Sequence, residues 1–97
     1  MTDSTRPVIA LLTDFGLSDP YVGMMKAAIL EVAPDAAIID LSHDIRPQAI
    51  RQGAFLLAAS LPYLPERSVT VAVVDPGVGT DRRPLALRVG RRWLVGP

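Results

Sequence analysis

Three apolar runs of strand length, VIALLTD (8–14), AAIIDLS (36–42) and SVTVAVVD (68–75), alternate with segments of helical length. A continuous apolar run this short suits a strand buried on both faces, as in parallel sheets covered by helices on each side. After the first run, Asp19 is the expected N-cap and Pro20 the first helical residue. Val22, Met25, Ile29 and Val32 then recur at intervals of three, four and three, one stripe of an amphipathic helix. Pro34 ends it, because the residue before a proline is pushed out of the helical region. Pro47 opens a second predicted helix with Ile50, Ala54, Leu57 and Leu61 on one face, and Pro62 and Pro65 bracket its end. Gly53 within it costs about 1 kcal/mol relative to alanine, which points to close packing against a neighbour. LALRV and RWLV alternate around Gly90-Arg91, as a hairpin would. The predicted fold is therefore α/β, a mostly parallel sheet flanked by helices with a C-terminal hairpin.

The 97 residues match one small domain, and 49% hydrophobic with 21% charged residues suits a packed core rather than disorder. There is no cysteine, hence neither a disulfide framework nor a thiolate metal site, and a reducing cytoplasm is the simplest expected setting. No apolar run approaches the roughly 20 residues of a membrane helix, and MTDSTRP lacks the layout of a signal peptide. Formal charge sums to zero, yet Arg82, Arg83, Arg88, Arg91 and Arg92 sit in the last sixteen residues with no acidic residue among them. Such a run could attract a polyanion, but only Trp93 interrupts it, so no series of stacking platforms accompanies it. A solvated face is the favoured reading, and no nucleic-acid partner is expected. The sequence stops at WLVGP directly after an apolar strand, which leads us to expect the front part, residues 1–97, of a longer protein.

Asp14, Asp40 and Asp75 fall at the ends of the three apolar runs. In open parallel sheets, ligands bind outside the carboxyl ends of the strands. Carboxylates there can accept bonds from a ribose diol, hold a cation or act as a base, or simply cap the loops they begin. Asp14-Phe15-Gly16 matches the magnesium-binding triplet of protein kinases, but the glycine-rich loop, strand lysine and catalytic-loop aspartate that reading needs are missing. DPGVGT lacks the lysine and hydroxyl pair of a phosphate-binding P-loop, and no G-x-G-x-x-G follows the first run. Gly77 and Gly79 permit backbone to approach a ligand closely. Arg82, seven residues after Asp75, could return to it as a charge partner or be an ordinary surface arginine. His43, the sole histidine, stands beside Asp44 and reads best as a locally bonded loop residue. No histidine, cysteine or carboxylate cluster has metal-ligand spacing, so no metal is indicated.

Three stretches, LLTDFGLSDPYVGMMKAAIL, IIDLSHDIRPQAIRQGAFLLAASLPYLP and VTVAVVDPGVGTDRRPLALRV, resemble in order the N-terminal domain of the S-adenosylmethionine hydroxide adenosyltransferases. These hydrolases are relatives of the fluorinating and chlorinating enzymes. The resemblance implies attack of hydroxide on the ribose 5′ carbon of S-adenosylmethionine, releasing adenosine and methionine without a cofactor. It implies that Asp14 accepts the ribose diol, and that Asp75 and Arg82 belong to an Asp–Arg–His set near the 5′ carbon, so that Asp75 also contacts substrate. The family's histidine falls beyond residue 97, and His43 does not match it. Halogenating relatives carry Tyr-Pro and then threonine where this chain has Asp75-Pro76 and Val78, which points to the hydrolase. Family members also carry a C-terminal β-barrel domain and form trimers with the site between subunits. The 97 residues alone are thus expected to be inactive. A non-catalytic module binding a nucleoside or S-adenosylmethionine and a metal-dependent phosphohydrolase using Asp14, Asp40 and Asp75 remain as alternatives.

Overall fold

In the computed structural model the described residues are 6–47, 49–74 and 84–96. They form β1 (Val8–Thr13), α1 (Tyr21–Val32), β2 (Ala37–Ser42), α2 (Ile50–Ser60), a 3₁₀ turn (Leu61–Tyr63), β3 (Val69–Val73), β4 (Leu85–Val89) and β5 (Arg92–Gly96). The five strands make one sheet in the order β2-β1-β3-β5-β4, parallel throughout except for β4, which pairs antiparallel with β5. The expected α/β architecture, its element order and the terminal hairpin are all present. The hairpin turns at Gly90, whose φ of 63° is a left-handed value open to glycine at little cost.

The core centres on β1, where Ala10, Leu11, Leu12 and Thr13 are buried between flanking strands and helix-covered faces. Successive side chains of a strand point to opposite faces. Leu12 joins Gly53, Ala54 and Leu57 of α2 around an apolar groove of about 290 Å³, which places α2 on that face. Leu11 and Thr13 therefore face the other side, toward α1. Gly53 packs as its sequence position suggests, since a Cβ there would lie 3.3 Å from Val74 Cγ2.

Three local expectations shift. Pro20, not Asp19, is the N-cap residue of α1: its carbonyl accepts the first helical bond, from Met24 N–H at 2.8 Å, and no side chain caps the helix. Helix α2 begins at Ile50 rather than Pro47, after a turn in which Ala49 N–H bonds Arg46 O and Gln52 Oε1 accepts from Arg46 N–H. Of the α1 stripe, Val22 is buried and Met25 and Ile29 are half-buried, but Val32, the last residue of the helix, is 87% exposed. Strand β2, read as a buried strand, is an edge strand and only half-buried.

Candidate functional site

Strand β1 has β2 on one side and β3 on the other, so the chain leaves it one way for β2 and returns across it to form β3. At such a reversal the loops beyond adjacent strands diverge and leave a crevice at the carboxyl edge. Asp14 stands there as the first residue past β1, half-buried, its N–H bonded to Val73 O at 3.2 Å as a last rung between β1 and β3. Phe15 follows, its ring centroid 6.2 Å from that of Tyr21. Gly16 turns the chain at φ 71° and donates its N–H to His43 O at 2.7 Å. Asp75 and Arg82 lie outside the described residues. The last described residues before them, Val73 and Val74, bring the chain to the edge where Asp14 stands.

Asp40 does not close its strand. It is level with Leu11, inside β2, which continues to Ser42. Register then shifts: Leu11 is opposite Asp40 but Leu12 is opposite Ser42, so Leu41 is an extra residue in β2. Such a bulge re-aims the side chains beyond it. In-register neighbours on a parallel pair point the same way, so Asp40, level with Leu11, faces α1. The extra residue makes Thr13 the next neighbour of His43, which faces α1 as well. Unbroken pairing would instead have set His43 level with Asp14.

A polar chain results. Thr13 Oγ1 lies 2.7 Å from His43 Nδ1, His43 Nε2 lies 2.8 Å from Asp40 Oδ1, and Lys26 Nζ donates to Asp40 Oδ2 at 2.7 Å. Phe15 N–H donates to Thr13 Oγ1 at 3.2 Å. An ionised carboxylate only accepts, so the proton between Asp40 and His43 belongs to Nε2. In the neutral imidazole Nδ1 then accepts from the Thr13 hydroxyl, which in turn accepts from Phe15 N–H. The Lys26 ammonium, and secondly the His43 ring, hold the Asp40 carboxyl below its ordinary range, against the opposing effect of partial desolvation.

His43 is thus bonded as the lone-histidine reading suggested, to Asp40 three residues away, but also to Thr13 thirty residues away. Asp44 is not its partner; that residue is exposed and its N–H bonds Ser42 Oγ. Thr13 and Lys26 were not foreseen, although Thr13 is the one polar residue of the first apolar run before its closing Asp14. Among the described residues no group of three or more His, Cys, Asp or Glu is placed to hold a metal. Arg88 and Arg91 lie with Arg67 and Trp93 around a separate depression beside the hairpin turn. Arg91 pairs there with Glu66 at 3.4 Å, and Arg92 bonds Leu64 O.

Similarity to known proteins bears on this edge of the sheet. A chain named (R)-S-adenosyl-L-methionine hydrolase from Thermus thermophilus is 54% identical over 92 residues, 95% of this chain and 35% of that one. A fluorinase from Nocardia brasiliensis is 34% identical, with 91% of this chain and 29% of the relative matched. The crystal structure of an uncharacterized conserved protein from Thermotoga maritima superposes with a TM-score of 0.88 at 37% identity, over 92% of this chain and 35% of that one. The chain spans about a third of the length of the curated relatives it matches. The family model described as the SAM hydroxide adenosyltransferase N-terminal domain matches residues 9–97, both sides of the β1–β3 crevice included, and the chain belongs to that family.

Proposed function

We propose that the full-length gene product hydrolyses S-adenosyl-L-methionine to adenosine and L-methionine. The observation that carries this reading is the TDFG loop standing at the β1–β3 crevice in a chain 54% identical to a named hydrolase of that substrate. Asp14 accepts the ribose hydroxyls. Asp75 and Arg82 hold one water by complementary charged hydrogen bonds and favour its deprotonated form. The hydroxide oxygen bonds to C5′ as the C5′–S bond breaks, methionine leaves with the electron pair as a neutral thioether, and the water's proton passes to solvent. A sulfonium is already a good leaving group, so alignment and a dry pocket are the main requirements and no cofactor enters. The assembly in this reading is a cytoplasmic homotrimer, completed by a C-terminal domain, with neither nucleic acid nor membrane as partner.

The test is Arg82→Ala in the full-length gene product. Turnover is expected to fall about 10²- to 10³-fold, the loss typical of one preorganised polar group at a reacting centre, while the Kd for adenosine stays within twofold by the same argument. Unchanged turnover would remove Arg82 from the chemistry. Adenosine binding by a parent protein without turnover would instead identify a binding module. Loss of activity on chelation would favour the metal-dependent alternative, for which Asp40 is poorly placed because it stands inside β2, level with Leu11, and not at the carboxyl edge with Asp14.

A further inference from the structure

Every hydrogen bond described for the backbone of residues 15 and 16 ends on Thr13 or His43. Phe15 N–H reaches the Thr13 hydroxyl, and Gly16 N–H reaches the His43 carbonyl. Those two anchors are joined to each other by the 2.7 Å contact between Thr13 Oγ1 and His43 Nδ1. His43 is only 5% exposed, Thr13 is wholly buried, and the ring is steadied from behind by Asp40 and Lys26. A buried donor or acceptor stripped of its partner loses its solvation without return, so such a chain has one arrangement rather than several. Neither side chain is directed at the crevice. Both face α1, on the side opposite the groove lined by Leu12 and α2.

We propose that Thr13 and His43 are positioning residues that fix the Asp14 loop in its substrate-binding geometry, with the β2 bulge at Leu41 as the device that brings them together. This rests on the reading of Asp14 as the ribose acceptor. The shared carboxyl edge gives the reason: a ribose diol asks for a carboxylate held to within fractions of an ångström. Asp14 N–H is tied to β3, Gly16 N–H to His43 just past the end of β2, and Phe15 N–H to the Thr13 hydroxyl that His43 holds, so the loop is anchored toward both neighbours of β1. The extra residue in β2 decides this arrangement, because without it His43 would be level with Asp14 and not with Thr13.

Thr13→Val keeps the shape and removes the hydroxyl, while Thr13→Ser keeps the hydroxyl. In the full-length gene product, Thr13→Val is expected to raise KM for S-adenosylmethionine about tenfold with kcat within about twofold, and Thr13→Ser to restore KM to within about twofold of the parent, the scale of one buried hydrogen bond lost and regained. A purely structural role would lower the melting temperature without this split or this rescue. Asp14→Asn is measured alongside. A raised KM in Asp14→Asn with an unchanged KM in Thr13→Val overturns the positioning role alone. An unchanged KM in Asp14→Asn overturns the ribose reading, and the proposal with it. Where Thr13→Val does not fold, His43→Asn and His43→Gln carry the same comparison. Asparagine keeps an acceptor near the Nδ1 position and should hold KM closer to the parent than glutamine does; the reverse order overturns the proposal.

Discussion

Strands β1 and β4 have similar sequences and opposite fates. VIALLT and LALRV are both short and apolar, with a single polar or charged residue each. Yet β1 is buried along its last four residues while every residue of β4 is exposed. The difference is sheet order. β1 has a parallel neighbour on each side and α2 against its Leu12 face, whereas β4 is an edge strand paired only with β5. An apolar strand is therefore not a core strand until neighbours cover it, and the energetic weight of a leucine follows its place in the sheet.

That comparison can be broken by truncation. Leu11→Ala, at a wholly buried position, should cost about 2–5 kcal/mol of stability, and Leu87→Ala, 53% exposed, should cost less than about 1 kcal/mol, measured by urea unfolding. Equal losses would mean that β4 is as covered as β1. A smaller effect sharpens the polar side of the same core. The buried hydroxyls of Ser68, just before β3, and of Thr70 within it have no hydrogen-bond partner among the described residues. Replacing Thr70 by valine keeps its shape and removes an unsatisfied group, so we expect a gain of up to about 1 kcal/mol in the same measurement. A loss would show that the hydroxyl is bonded in solution.

The smallest effect belongs to the edge opposite β4. The Lys26–Asp40 pair is partly solvent-exposed on both sides, so after screening it should contribute about 0.5 kcal/mol or less. Its carboxyl titrates below the usual 3.8 in the folded protein. The unfolded chain consequently takes up that proton first as pH falls. The contribution is full above pH 3.8 and disappears as pH drops through the lower folded value. Lys26→Met should lower stability slightly near pH 7, and the gap from the parent should close in acid; a gap that persists unchanged below that range would assign the effect to packing.

The same contrast explains what could be read from the sequence. Element types, their order and the hairpin turn at Gly90 follow from local patterns of apolar spacing, proline and glycine, so they were legible. Gly53 was legible too, because a glycine inside a helix has few explanations other than a close neighbour. Asp14 at the end of its strand needed only the first apolar run and the turn after it. What was not legible depends on partners far along the chain. Asp40 looked like a strand-ending aspartate because the bulge at Leu41, defined only by pairing with β1, cannot be seen in β2 itself. Thr13 meets a histidine thirty residues away and Lys26 an aspartate fourteen away, and no short window contains both members of either pair. The catalytic roles expected for Asp75 and Arg82 rest on the family resemblance, and both residues fall outside the described ones.

The sheet order also sets a timetable. β1 is synthesised before the other described strands and is the most deeply enclosed of them once folding is done, but about 55 residues separate its end from the start of β3. At ribosomal speeds of about 5–20 residues per second, VIALLT waits roughly 3–11 seconds for its second neighbour. For that interval a flat apolar segment without charge or proline is available to any other unpaired strand nearby, the sequence type that aggregates most readily. The residue arrangement that makes β1 the firmest part of the finished molecule makes it the most vulnerable part of the nascent one. Slowing elongation after residue 13 or crowding the ribosomes on one message should therefore lower soluble yield before any change in the final stability is detectable.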